Sequence, residues 1–314
     1  MPLRATRSRT RAARITDAVA TGPLGALSHD ELGVIFDGLA NPLQPAVSVA
    51  LSSTCLGLRT PLRAVLQVLK EQHARVAWLC ARLQVSCREL REAKGLMMGN
   101  LGLDLEEIEA LGMILRSNGL PSLELWDLSD NCFRDADLQL LCASLCPGAL
   151  PSLRELSLNC NKLGPRAASE LAAALRRGAM PNLVKLFIGD NPILDEGMTA
   201  LAPQLSKLPR LEKLFMWGCV VGDEGVASLC AERGENDFKK LTHLDLDHND
   251  VGDMGCATLA SALKAGVMPK LIELSCIGNR FVSASFDAVI AAMRQRLVTS
   301  PTQCTGSVEP PISE

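Results

Sequence analysis

The residues best suited to chemistry sit in one hexapeptide, HLDLDH, where alternation along an extended chain sets His243, Asp245 and Asp247 on the same side. An imidazole with two carboxylates could hold a divalent cation or relay a proton. The same three positions are also the solvent-facing residues of an ordinary half-buried strand. No phosphate-binding glycine loop, nucleophile elbow or metalloprotease helix motif accompanies them. The expectation is therefore a chain that is not an enzyme, with no catalytic residue, no metal site and no cofactor. The twelve cysteines form no CxxC pair. Their nearest approach to a zinc set is Cys142 with Cys146, and Cys132 one loop away. Cys142, Cys256 and Cys276 fall on apolar-periodic positions and are expected to be reduced and buried.

The elements that position these residues repeat along the chain. Leu123, Leu153, Leu183, Leu211, Leu241 and Leu271 open similar segments at intervals of 30, 30, 28, 30 and 30 residues. Each follows the template LxxLxLxxNxL, as in LRELSLNCNKL, with Leu153, Leu156, Leu158, Asn161 and Leu163. The period then changes from two to helical, for example at Ala168, Leu171 and Leu175. One unit is thus a short strand, a turn and a helix. A degenerate unit precedes the six, because Met98, Leu103, Ile108 and Leu111 stand 30 residues before Leu128, Phe133, Leu138 and Leu141. The polar run AERGENDFKK and Pro203 are expected to shorten two of the helices.

This pattern resembles the leucine-rich-repeat family, in its ribonuclease-inhibitor-like class. The resemblance implies a right-handed α/β horseshoe with a parallel concave sheet and convex helices. Asn131, Asn161, Asn191, Asn249 and Asn279 then read as a structural ladder satisfying backbone groups in the turns. Cys219 replaces asparagine in one unit, as is familiar in this family. The resemblance covers about residues 96–297.

Residues 24–95 break the period and read as helical, forming the all-helical N-terminal cap that a solenoid end requires. Ser28 with Glu31 gives a helix-start signal, and Asn41 with Pro42 a stop. Val65, Leu69, Val76 and Leu83 lie near one face of a later helix. Leu27, Leu32, Ile35 and Leu39, followed by Val49, Cys55 and Arg59, resemble an F-box, the module that docks on the adaptor of cullin-type ubiquitin ligases. Ser28 and Leu58 depart from that family's usual proline and tryptophan. The segment can serve as cap, as adaptor-binding module, or as both. Residues 1–23, with five arginines in the first fourteen positions, read as a basic arm, and an organelle transit peptide shares that composition. Residues 298–314 have no periodicity and read as a disordered tail.

Composition narrows the function. With 47% hydrophobic and 21% charged residues the chain can fold on its own core, and a net charge of −3 is not that of a protein living on phosphate backbones. No run is apolar and long enough to span a bilayer, and no secretory signal follows the first residues. Expected partners are therefore proteins, without nucleic acid or membrane, in the cytoplasm or nucleus. Alternation predicts which residues face outward on the concave sheet, and most are polar. Phe187, Phe215 and Trp217 are the exceptions and are expected to adjoin, flanked by Lys185 and Lys213 on one side and Asp245 and Asp247 on the next strand. This patch is the expected binding site for a protein or peptide. The resemblance carries three functional readings: an F-box-like substrate receptor, a Ran-type GTPase-activating protein, and a cytoskeletal or signalling scaffold.

Overall fold

The computed structural model describes residues 40–53, 63–231 and 238–299. Among the described residues three helices come first: α1 (Ala46–Ser53), α2 (Arg63–Arg82) and α3 (Cys87–Glu92). Seven strands then alternate with seven helices: β1 (Gly95–Met97), α4 (Leu105–Arg116), β2 (Leu125–Asp127), α5 (Asp135–Ser144), β3 (Glu155–Ser157), α6 (Pro165–Arg176), β4 (Lys185–Phe187) and α7 (Leu194–Leu205). The series continues through β5 (Lys213–Phe215), α8 (Asp223–Cys230), β6 (His243–Asp245), α9 (Asp253–Ala265), β7 (Glu273–Ser275) and α10 (Ser283–Thr299). All strands pair parallel in chain order, so the molecule is the expected α/β horseshoe. The degenerate first unit is present, since β1 pairs with β2 and Met98, Ile108 and Leu111 are buried. Among the described residues, no helix is long and apolar enough to cross a membrane.

The register equals the repeat. Glu155 lies opposite Lys185, Lys185 opposite Lys213 and Lys213 opposite His243, so equal template positions form rows across the sheet. The central residue of each strand points into the core, and Trp126, Leu156, Leu186, Leu214 and Leu244 are all buried. Strands of three residues pair weakly alone, but further backbone bonds extend the ladder into the turns, such as Leu128 N–H to the Ser157 carbonyl at 2.9 Å.

Two side-chain ladders complete the turns. Asn161 Oδ1 accepts from the N–H groups of Asn131 at 3.1 Å and Phe133 at 2.9 Å, while its amide donates to the carbonyls of Leu128 and Leu158. Asn131, Asn191, Asn249 and Asn279 act in the same way. Cys219 keeps only a weak donor role, its thiol 3.2 Å from the Ile188 carbonyl. The preceding turn is rerouted there: Ile193 N–H bonds the Asn191 carbonyl at 2.7 Å, and Leu194 adopts φ 60°. The second ladder runs along the helix starts. Asp195 Oδ1 accepts from Gly222 N–H at 2.6 Å and Gly225 N–H at 2.9 Å, thereby capping α8. Asp135 caps α6, Asp223 caps α9, and Asp253 Oδ1 accepts from Val282 N–H at 2.9 Å just before α10.

Pro203 does not shorten its helix, contrary to expectation, because α7 continues to Leu205. The proline stands in the last turn, where it forfeits one backbone bond, and the buried Leu201, Ala202 and Leu205 hold that turn against the core. At the N-terminal end, Leu69, Val76, Leu79 and Leu90 of α2 and α3 are buried. Arg82 pairs at 2.6 Å with Glu107 of α4, whose side chain is 0% exposed. His73 hydrogen-bonds the Pro42 carbonyl at 2.6 Å. The F-box-like positions Leu27, Leu32, Ile35, Leu39, Cys55 and Arg59 lie outside the described residues; Val49, on α1, is exposed.

Candidate protein-binding face

The parallel register brings Phe187 directly opposite Phe215. Their rings stack with centroids 4.5 Å apart and planes 2° from parallel, and both are half-buried, so one face of the stack stays accessible. Trp217 lies two residues further along, in the turn that follows β5. Its indole is laid across Gly189, two residues past the end of the neighbouring β4. A Cβ on that glycine would collide with Nε1 and approach Cδ1 to 2.6 Å, so only glycine lets the ring lie there. Gly189 is held in turn by its own N–H, which donates to Asn159 Oδ1 at 2.7 Å.

The charged flanks differ. Lys185 Nζ pairs with Glu155 Oε2 at 2.9 Å. Lys213 Nζ stands 3.4 Å from His243 Nε2, which is 3.2 Å from Glu273 Oε2. Burial, and next the Lys213 charge, hold the His243 imidazole below its ordinary range. Asp245 accepts from Asp247 N–H at 2.9 Å, and burial is the main cause that raises its carboxyl above the usual carboxylate range. Asp247 reaches instead to the next repeat, accepting from Ser275 Oγ and Ile277 N–H, both at 2.6 Å. His243, Asp245 and Asp247 are thus engaged with different neighbours. Among the described residues, no group of three His, Cys, Asp or Glu side chains is placed to hold a metal ion.

Strand alternation does not reveal the rim beyond it. Asp130, Cys160, Asp190, Gly218, His248 and Gly278 occupy one row, each with φ between 53° and 72°. They precede the ladder positions, and that adjacency is the sequence signal: left-handed backbone there favours Asp, His and Gly. Asp130 and Asp190 flank Cys160, whose thiol is raised first by burial and then by those carboxylates. The ten described cysteines are free, and Cys142, Cys219, Cys230, Cys256 and Cys276 are buried.

The family described as Leucine Rich repeat matches residues 119–142, 149–172, 179–202 and 239–260. These units are leucine-rich repeats. The unit within this run that the family does not match is the one carrying Cys219 and the short α8. No curated protein matches the chain. Among solved structures the chain is similar to that titled "Crystal Structure of a Pollen Receptor Kinase 3", at 21% identity and TM-score 0.34, with 60% of this chain and 76% of that one covered. It is also similar to the actin-binding site 2 of leiomodin-1, at 14% identity and TM-score 0.38, with 63% and 92% covered. An internalin from Listeria monocytogenes is similar at 16% identity and TM-score 0.24, with 70% and 93% covered.

Proposed function

We propose that this leucine-rich-repeat chain is a non-catalytic scaffold that receives a protein or peptide on its concave sheet, around Phe187, Phe215 and Trp217. The observation that carries this reading is the half-buried aromatic stack beside an indole held flat on Gly189. Large rings clustered on an inward-curving surface, bordered by charge, have the composition of a binding hot spot. Repeats of 28 and 30 residues with a helix in each unit support the ribonuclease-inhibitor-like class. Free, buried thiols support a reducing compartment, cytoplasm or nucleus.

The experiment is affinity capture with the full chain, identification of the partner by mass spectrometry, and titration of that partner against Phe215→Ala/Trp217→Ala. The double variant is expected to unfold cooperatively and to bind about 30-fold more weakly, the equivalent of ~2 kcal/mol. Unchanged affinity in a folded variant would place the binding surface elsewhere.

The finer reading is a substrate receptor of a ubiquitin ligase, with the F-box-like positions Leu27, Leu32, Ile35 and Leu39 meeting the cullin adaptor. Its support is the apolar spacing over those residues and the position of the segment just ahead of the sealed end of the solenoid. Purified adaptor is expected to bind the full chain and to lose binding to Leu32→Glu/Ile35→Glu. No binding of adaptor at micromolar concentration removes this role and leaves the segment as a cap.

A further inference from the structure

The aromatic patch sits in an uneven electrostatic field. Asp245 lies opposite Phe215 in the β5–β6 register, and Asp247 follows it into the row of Trp217. On the other side, Asp190 N–H donates to the Trp217 carbonyl at 2.7 Å, and Asp190 Oδ1 would stand 3.6 Å from a Cβ on Gly218. Trp217 therefore stands between the two neighbouring turns that carry Asp190 and Asp247, its own carbonyl bonded by Asp190 N–H and the N–H of Gly218 bonded to the Asp247 carbonyl. Among the described residues, neither these two nor Asp245 enters an ion pair. The Phe215 row, the Trp217 row and the left-handed row contain no lysine or arginine from β2 to β7. The cations of the face, Lys185 and Lys213, stand on the far flank, beside Glu155 and His243.

A flat ring with an acidic residue on the turn at either side matches one side chain best. A guanidinium can stack its plane on the indole while its N–H edges bond carboxylates, whereas an ammonium has no plane to stack. The spacing also fits an extended chain. Trp217 stands two residues beyond Phe215 along the chain, so an extended peptide running alongside would meet the two rings with its residues i and i+2.

We infer that the occupant of the concave face is an extended basic segment. It lays an arginine over Trp217 between Asp190 and Asp247, and sets an apolar residue two positions away on the Phe187–Phe215 stack. This rests on the reading that the aromatic patch is the binding surface.

The test is fluorescence anisotropy with the full chain and a labelled octapeptide carrying leucine two residues from arginine, prepared in both orders. Counterparts replace that arginine by citrulline, which keeps the shape and removes the charge, or by glutamate. The arginine peptide is expected to bind at least tenfold more tightly than the citrulline peptide. Asp190→Asn/Asp247→Asn retains the side-chain oxygens that accept backbone bonds, and is expected to abolish that difference while leaving citrulline binding unchanged. Equal affinity for arginine and citrulline, a preference for glutamate, no binding of the arginine peptide at millimolar concentration, or an arginine preference that survives in the double variant would each overturn the inference. Loss of captured partner in Phe215→Ala/Trp217→Ala, together with no arginine preference, removes the basic occupant but keeps the surface. Unchanged partner affinity in that variant removes the surface itself.

Discussion

Asp245 carries a charge that its surroundings disfavour. Its folded pKa lies above the ordinary 3.8, with burial as the largest cause, so the native state holds its proton to higher pH than the unfolded chain does. Ionisation at neutral pH therefore lowers stability, and this cost disappears once the pH falls below the unfolded value. Asp245→Asn keeps an oxygen for the Asp247 N–H. It is expected to raise the melting temperature at pH 7 by up to about 2–4 °C, with no rise near pH 3. Thermal melts at the two pH values check this, and an equal rise at both would point to packing rather than charge. The stacked Phe187 and Phe215 were legible in the sequence because the strand register equals the repeat length. The seat of Trp217 on Gly189 was not, since spacing fixes where a residue stands but not the torsion of its ring. Asp190 escaped as well, because alternation stops at the strand end and the left-handed residue beyond it obeys a different rule.

The asparagine ladder could be read from a single unit, as its residue type and phase recur. The carboxylate ladder could not, because each Asp serves the helix of the following repeat and looks like an ordinary acidic first-turn residue in its own. Its trace is the recurrence of Asp135, Asp195, Asp223 and Asp253 in phase, together with Gly164, Gly222 and Gly252 before the next helices. The one proline at this phase, Pro165, offers no acceptor, and α7, which follows it, has Ile193 at its N-cap and no side-chain cap. Asp195→Ala is expected to destabilise the chain by about 1–2 kcal/mol in urea unfolding, in the range of lost helix caps. Gly225→Ala should act in part through the same contact, since its Cβ would fall 2.6 Å from Asp195 Oδ1 and equally close to Val221 Cγ1. The double variant is then expected to cost clearly less than the sum of the two. Strict additivity would show that the glycine and the carboxylate act independently.

The two ends of the solenoid are unlike. The first repeat lies under α2 and α3, with the Arg82–Glu107 pair between α2 and α4, whereas Ile272 and Ile277 flanking β7 are 54% and 65% exposed. In an array whose stability is a sum over neighbours, the end that is less covered among the described residues opens first. Native-state hydrogen exchange is expected to rank protection in the order Leu128, Leu246, Glu273, whose N–H groups donate to the carbonyls of Ser157, Ser275 and Thr242. Equal protection at all three would mean that the array opens only as a whole. The two ladders add a polarity that pairing alone lacks. Where both ladders run, as between the repeats of Asp135 and Asn161, the earlier repeat presents turn N–H groups and a carboxylate, and the later one presents an amide and the N–H groups of a helix start. A cut between repeats therefore creates two unlike ends that fit each other but not themselves. Such ends join head to tail, so fragments of this chain should reassemble in line, as open fibres rather than closed pairs. A fragment that retains α2 and α3 would have only one end to offer, and would stop that growth.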